Sequence, residues 1–537
     1  MQYILGLFWL AKTIKAVLFW VYLWQLKEYH IGRFLAHFET EKGKRILLNF
    51  LQIFKILLLG GVFLYPKIFP FVLIFIYAAE SAMLGKNILQ RKRIGPIFTK
   101  KAIVLVSLGI FSAILISVFL WLKMGSRENF SKFSLWLLVA DILTPILVSA
   151  IVLLLQPIAV FGRNQIIKKA KEKRKQYENL LTIGITGSYG KTSTKEFLAV
   201  ILSEKFNVLK TEKHQNSEIG ISQCVLNNLN EEHEIFIAEM GAYNRGGIKL
   251  LCDIAKPKIG ILTGINEQHM ATFGSQEKTI RTKYELIESL PEKGLAIFNG
   301  DNQYCLDLYK ETRSPKRLCG KTKTINGEKS DVFVENIKIE KDSLSFKTVS
   351  KNGDSAELKV NIAGKQNIEN LLLAICCAKD LGMTLEEIAR ACKKIKSEQG
   401  AMKIIKGRNN LNIIDSTYSA NPDGVISDLD YLKILPGKKV IIMPCLIELG
   451  NASKEVHQKI GRKIGEVCDL AIITTRDKYK EIRESALSAG MTEIDIFCFD
   501  DPKEIYEKIK AFCKSGDTIL LESRVPKQLI RKLTENN

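Results

Sequence analysis

Residues 184–194, Gly-Ile-Thr-Gly-Ser-Tyr-Gly-Lys-Thr-Ser-Thr, place glycines, a lysine and hydroxyls where they could cradle a phosphate. A short apolar strand carrying Leu181, Ile183 and Ile185 runs into Gly187, Ser188, Tyr189, Gly190, Lys191, Thr192 and Ser193, and a helical pattern follows over Lys195–Leu202. Glycines let successive backbone N–H groups converge on an anion, to which the new helix turns its positive end. Lys191 is placed to neutralise β- and γ-phosphates, and the Thr192 hydroxyl to ligate the accompanying Mg²⁺. The two glycines lie closer together than in G-x-x-x-x-G-K-[ST]. The strand before and the helix after separate the stretch from an ordinary glycine turn with an exposed lysine.

Two further polar residues follow apolar strands. Glu239 comes after 234–238, and His269 comes after 258–263, within Gly-Ile-Asn-Glu-Gln-His. In open parallel sheets ligands bind beyond the carboxyl ends of strands, so this pair is a candidate metal set beside the phosphates. Either residue alone reads as a solvated loop residue. Lys283, in Ile-Arg-Thr-Lys-Tyr-Glu-Leu-Ile, reads alone as an exposed helix lysine.

Such residues need a sheet to hold them. From 181 to about 395 strands and helices alternate, which predicts a mainly parallel sheet covered by helices. Residues 331–362 interrupt that pattern with short alternating segments and read as a β-hairpin insertion. A second α/β unit is predicted over 396–537, with strands at 411–414, 439–443, 470–474, 494–498 and 518–521.

The first third has another character. Five apolar runs, 3–24, 46–65, 68–84, 102–122 and 133–156, approach the roughly 20 residues a bilayer demands. Lys12 and Lys15 interrupt the first and Lys55 the second, and the short third run leaves 46–84 readable as a re-entrant hairpin. Residues 1–180 hold 25 Lys and Arg against 8 Asp and Glu, +17 of the chain's +21. The basic excess therefore flanks apolar runs, which makes it a topology signal and argues against nucleic acid. Lysines and arginines gather in 25–45, 85–101 and 163–175, predicting an N-terminus outside the cell membrane and a cytoplasmic chain from 157 onward. No small-residue cleavage site follows the first run, so it reads as an anchor. Residues 157–180 read as a basic amphipathic linker helix along the inner membrane face. Asp141 and Glu80 lie within apolar runs, where an acid is a functional candidate by default. All eleven cysteines fall between Cys224 and Cys513 with no C-x-x-C pair, which fits a reducing compartment and implies no sulfur-bound metal.

Seven motifs in one order, TGSYGKTST, AEMGAYNRGGI, LTGINEQHMATFGS, TKYELI, GKQNIENLLLA, IDSTYSANP and IELGNASKEVHQKIG, resemble the Mur ligase family over about 181–530. Within it they are most similar to the members that add D-alanyl-D-alanine to a muramoyl tripeptide. The apolar runs imply an α-helical transmembrane region (1–156), and the resemblance implies a P-loop central ATPase domain (181–395) and a Rossmann-like C-terminal domain (396–537). It implies an ADP-forming ligase of peptidoglycan synthesis that uses ATP and Mg²⁺ to activate a carboxylate as an acyl phosphate, which an amine then attacks. Gly187–Ser193 would hold the phosphates, Asn370 would contact adenine, and Thr192, Glu239 and His269 would hold Mg²⁺. Lys283 falls where the family carries a carbamylated lysine that helps hold a second Mg²⁺. Asn216 and Asn421 would face substrate, and His457, Glu448 and Gly450 belong to the C-terminal signature.

This sequence departs from the family in places. Asp415-Ser416 stands for the family's Asp-Asp, with Asp415 the residue left to face ATP. Ala401 replaces a common arginine, His214 and Ser217 replace asparagines, and Met443-Pro444-Cys445 replaces a G-D-M-type stretch. Leu521-Glu522-Ser523-Arg524 replaces K-G-S-R. The family's N-terminal domain, which holds the UDP-muramoyl portion, is replaced by the membrane half. The expected partners are a muramoyl-peptide precursor, an amino acid or dipeptide, the lipid bilayer and other wall-synthesis membrane proteins. Two alternatives stay open: a related ligase acting on a lipid-linked, polyglutamyl or cyanophycin-like acceptor, and a membrane nucleotide-binding scaffold without ligase activity.

Overall fold

The computed structural model describes every residue except 39–40, 90–94, 125, 213–214, 243, 267–273, 341, 397–401, 418–420 and 535–537. His269, His214 and Ala401 thus lie outside the described residues. The chain divides into two compact units, Met1–Arg163 and Asn164–Asn537.

The first unit is helical. α1 (Gln2–Leu26), α2 (Phe50–Leu64), α3 (Phe69–Leu89), α4 (Lys100–Met124) and α5 (Phe130–Leu154) form on the five apolar runs. Among the described residues, four helices are long and apolar enough to cross a membrane: Gln2–Leu26, Gly43–Leu64, Lys100–Met124 and Phe130–Lys175. The third run forms the 21-residue α3, whose fully described apolar part is Phe69–Met83.

The lysines that interrupt the first two runs have partners. Lys55 Nζ lies 2.6 Å from Glu80 Oε2 and 2.9 Å from Asp141 Oδ2, and Lys12 pairs with the other Asp141 oxygen. Lys12, Lys55 and Asp141 are buried, and the Tyr77 ring lies under the Lys55 ammonium. One charge comes from each of α1, α2, α3 and α5, so the unit encloses two cations and two anions. Taking an ion out of water costs several kcal/mol, offset only when each charge keeps an opposite neighbour.

The second unit is α/β. Its main strands are β1 (Leu181–Thr186), β2 (Val208–Lys210), β3 (Ile235–Glu239), β4 (Ile259–Leu262), β5 (Leu295–Asn299), β6 (Lys316–Cys319), β7 (Val332–Ile339), β8 (Leu344–Ser350) and β9 (Ser355–Val360). They form one sheet in the order β9-β8-β7-β6-β5-β4-β1-β3-β2. β1 lies inside the sheet, parallel to β3 on one side and β4 on the other, with Ile185 opposite both Glu239 and Ile261. Residues 331–362 are not a separate hairpin insertion. β7 pairs in parallel with β6, and β7, β8 and β9 continue the sheet as an antiparallel meander. Strands β1, β3 and β4 are buried almost throughout, hence their unbroken apolar runs.

A second sheet follows, built from β10 (Lys403–Lys406), β11 (Asn412–Ser416), β12 (Lys439–Met443), β13 (Leu470–Ile473), β14 (Ile496–Cys498) and β15 (Thr518–Glu522). Its order is β10-β11-β15-β12-β13-β14, parallel except for the β10 edge. Ser416 and Glu522 end neighbouring strands side by side.

Helix α6 (Gln156–Lys175) occupies most of the expected linker. From residue 164 it belongs to the α/β unit, where Ile167, Ala170 and Arg174 are buried. The Arg174 guanidinium donates to the carbonyls of Ala255 (3.0 Å), Tyr177 (2.6 Å) and Leu180 (3.0 Å), and Lys173 donates to those of Leu226 and Leu229. Two of the basic residues read as membrane-facing are therefore used on carbonyls at helix ends and in loops, and Arg174 suits three of them at once through its planar guanidinium fork.

Asp141→Asn would leave two buried ammonium groups short of a counter-charge, at a cost of about 3–5 kcal/mol. Thermal unfolding of the full chain in detergent should show a clearly lowered transition for the helical unit. An unchanged transition would mean that the cluster contributes nothing to stability.

Candidate active site

The loop after β1 turns sharply into α7 (Lys191–Leu202), and two glycines make this possible. Gly190 caps the helix at φ +77°, where a Cβ would stand 2.3 Å from Asn370 Oδ1. Gly187 sits at φ +155°, where a Cβ would meet Thr263 Oγ1 at 2.1 Å. The segment after β4 holds the loop from the side. Ser188 N donates to the Gly264 carbonyl (2.6 Å), the Thr263 hydroxyl donates to the Tyr189 carbonyl, and Asn266 N donates to Ser188 Oγ (3.2 Å). Asn302 Nδ2 donates to the Tyr189 hydroxyl (3.2 Å). Asn370, expected at adenine, lies buried against the loop, accepting from the Thr194 hydroxyl (3.3 Å) and donating to Asn367 Oδ1 (3.4 Å). Ser193 is buried in the first turn of α7.

Lys191 Nζ donates to the carbonyls of Gly187 (2.7 Å) and Ser188 (3.2 Å), folded back over its own loop. Burial pulls its pKa below the ordinary lysine value, opposed by the negative Glu239. Glu239, the last residue of β3, is buried beside the helix start. Its Oε1 accepts from the Thr192 hydroxyl and from Asn216 Nδ2, both at 3.1 Å. Its Oε2 lies 3.3 Å from Lys195 Nζ, and the Thr211 hydroxyl takes its backbone N–H. Asn216, expected to face substrate, thus uses its amide on the carboxylate.

A hydroxyl and a carboxylate meeting at the positive end of a phosphate-loop helix are hard oxygen donors of the kind Mg²⁺ prefers. Among the described residues no group of three His, Cys, Asp or Glu converges. That sparse set fits an ion held by one or two carboxylates plus a nucleotide's own phosphates.

Lys283 is not an exposed helix lysine. It lies on α10 (Gln276–Glu288; α8, Glu218–Asn228, and α9, Gly247–Ala255, precede it), buried, with Nζ 3.5 Å from the Ala242 carbonyl. Its pKa is pulled down to about 7, chiefly by burial and then by the positive Lys191.

Asn266 also reaches the second sheet's helices. Its Nδ2 donates to Asp423 Oδ2 (2.8 Å) and lies 3.5 Å from Asn421 Oδ1, at the start of α12 (Pro422–Lys433; α11, Asn367–Asp380, precedes it). Asn421 caps that helix by accepting from Gly424 N (2.9 Å). Asp415 accepts from the backbone and hydroxyl of Thr417. The neighbouring Ser416 is buried and donates to Asp428, which also accepts from Gln366 Nε2 (3.1 Å). Asp428 and Glu522 form a buried carboxyl pair. Burial pushes Asp428 up to about 6, while burial and then the adjacent Asp428 raise Glu522 well above the carboxylate range. His457 stands apart from the phosphate loop. It is buried on α13 (Ser453–Val467), where Nδ1–H donates to the Ser453 carbonyl and Nε2 accepts from Leu446 N (3.0 Å).

The structure therefore brings together Gly187–Thr192, Glu239, Asn216 and Asn370, with Lys283 within electrostatic reach of Lys191. Sequence reasoning missed Lys195 and Asn266. The signal for Lys195 was its spacing, four residues after Lys191 and three after Thr192, which puts all three on adjoining helix positions. Asn266 carried none beyond lying in the strand-end segment that holds His269.

Residues 185–378 match the Mur ligase middle domain and 401–524 the Mur ligase, glutamate ligase domain. The UDP-N-acetylmuramoyl-tripeptide–D-alanyl-D-alanine ligase of Synechocystis sp. is 29% identical over 343 residues, 64% of this chain and 71% of that one. Its Bacillus subtilis counterpart is 28% identical over 344 residues, 64% and 72%. Among solved structures, MurF from Acinetobacter baumannii superposes with a TM-score of 0.61 at 25% identity, covering 68% of this chain and 79% of that one. MurF from Thermotoga maritima in complex with ADP gives 0.58 at 26%, covering 69% and 83%.

Gly190→Ala would force a side chain into left-handed backbone, at about 1–2 kcal/mol, and drive its methyl onto Asn370. Isothermal titration with ADP should show affinity falling at least tenfold. Affinity equal to the parent's would mean that the loop does not hold the phosphates.

Proposed function

Because the chain belongs to the Mur ligase family, we propose that it joins a muramoyl-peptide carboxylate to an amine such as D-alanyl-D-alanine in peptidoglycan precursor synthesis. It is an ATP-dependent, ADP-forming ligase of this type. The observation that carries the reading is the meeting of the Gly187–Thr192 loop with Glu239 through the Thr192 hydroxyl.

In this reading the loop's N–H groups and the start of α7 hold the nucleotide's terminal phosphates, and Lys191 leaves its loop carbonyls to pair with them. Thr192 and Glu239, with His269, are the residues that would hold Mg²⁺, which would supply positive charge against the transferring phosphoryl group. The acceptor's carboxylate oxygen attacks the γ-phosphorus and ADP leaves. The amine then attacks the acyl carbon, phosphate leaves, and the nitrogen gives up a proton. Asn266 ties the phosphate loop to the start of α12, where Asn421 would meet the substrate. Asp415 and Asn370 complete the nucleotide's surroundings. Positioning and electrostatic stabilisation usually do most to lower the barrier in such transfers.

Lys283 is suited to carbamylation. An amine adds CO₂ only when unprotonated, and with its pKa drawn down to about 7 much of this buried lysine is neutral at physiological pH. The basic loops further support a multi-pass protein of the cell membrane, N-terminus outside and ligase domains cytoplasmic, with the acceptor presented at the membrane, for instance on a lipid. Removing residues 1–155 while keeping the Arg174 anchor tests this: undiminished turnover of a soluble UDP-muramoyl tripeptide would count against it.

The central test is phosphate release from ATP on adding muramoyl tripeptide and D-alanyl-D-alanine. We expect release from the parent chain and at least a hundredfold loss in Lys191→Ala. Absence of release with any acid and amine would favour a nucleotide-binding scaffold. Equilibration with ¹³C-bicarbonate should give a carbamate resonance that grows from pH 6 to 8, as the amine loses its proton, and is missing in Lys283→Ala. No resonance at pH 8 would dismiss the modification.

A further inference from the structure

Lys195 is fully buried in the first turns of α7, and nothing in the reaction as described uses it. Its ammonium lies 3.3 Å from Glu239 Oε2 and 3.3 Å from Glu196 Oε1, and makes no hydrogen bond among the described residues. Glu196 in turn pairs through its other oxygen with the partly exposed Lys210. A line of alternating charge thus runs from the protein surface to Glu239. Lysine is almost never found at such depth without a charged partner, and here two carboxylates accompany it.

The arrangement divides the Glu239 carboxylate. Oε1 takes both hydrogen bonds, from Thr192 and Asn216, on the side of the phosphate loop. Oε2 faces the Lys195 ammonium instead. From this geometry we infer that Lys195 is a positioning residue for the nucleotide-bound divalent cation. It prevents rotation of the Glu239 carboxylate about its last bond, so that Oε1 stays beside the Thr192 hydroxyl. Without it, Oε2 would be a buried oxygen with no counter-charge, and the group would turn toward other donors. A carboxylate turned away from the Thr192 hydroxyl is poorly placed to hold a hard cation there. The positive charge of Lys195 itself repels a second cation, but Glu196 on its other flank offsets that repulsion.

This rests on the ligase reading of the same site, so the experiment begins with the parent chain. Mn²⁺ binding to the ADP complex of the full-length protein is followed by electron paramagnetic resonance, with ADP affinity in EDTA measured alongside. No Mn²⁺ bound by the parent chain would overturn the site reading itself. Given binding, Lys195→Met is expected to weaken Mn²⁺ at least tenfold while metal-free ADP affinity shifts less than twofold. Unchanged or tighter Mn²⁺ binding, or an equal loss of ADP, would overturn the inference. Residues acting through one another are not additive. Lys195→Met should therefore cost less than twofold more when made in Glu239→Gln, and multiplied losses would overturn the inference. Should Lys195→Met fail to fold, the double variant decides. If removing both charges restores folding, Lys195 is there for Glu239; if the double variant also fails to fold, the lysine serves the helix and the inference falls.

Discussion

A charge buried in protein must have its opposite within a few ångströms, and this constraint shapes both halves of the molecule. In the α/β unit it acts on Glu239, a carboxylate at the end of the central strands with almost no access to water. Thr192, Asn216 and Lys195 each use a polar group on this one acid, two of them from α7 and one from the loop before α8. Removing a partner from such a set leaves a desolvated ion, which costs far more than a lost surface contact. Helix α7, the loop before α8 and strand β3 are therefore held together through this one carboxylate. Preorganisation of that kind is what a phosphoryl-transfer site needs, since it does little covalent chemistry of its own.

The helical unit answers the same constraint. Asp141 gathers Lys12 and Lys55, and Glu80 completes the balance. Lysines that weaken two apolar runs as separate spans become tolerable once four helices place their charges at one point. An apolar environment raises the penalty for any mismatch, so the cluster favours one arrangement of these helices over others.

Polar contacts join the two sheets of the α/β unit. Asn266 reads the phosphate loop with its backbone and α12 with its side chain, and Gln366 meets the Asp428–Glu522 pair. That carboxyl pair stands where the sequence departs from the family pattern, at Ser416 and Glu522. Burial raises both carboxyls there, which favours their uncharged forms in a dry interior.

The ordering of strands and helices, the glycine turn between β1 and α7 and the strand-end Glu239 could be read from local pattern, because an apolar run, a glycine pair and a strand-end acid each declare themselves within a few residues. The antiparallel continuation of the sheet through 331–362 could not, since a hairpin's own sequence does not say whether a neighbour accepts its edge. The burial of Lys283 and Lys195, the spending of Arg174 on loop carbonyls and the pairing of Lys12 and Lys55 with Asp141 were likewise invisible. A lysine has the same side chain on a wet face and in a core, and only the elements packed around it determine which it meets. The sequence by itself determined which chemistry is available and in what order along the chain. Tertiary structure alone decided which charges are dry and therefore paired, because desolvation depends on neighbours brought from far away in the chain.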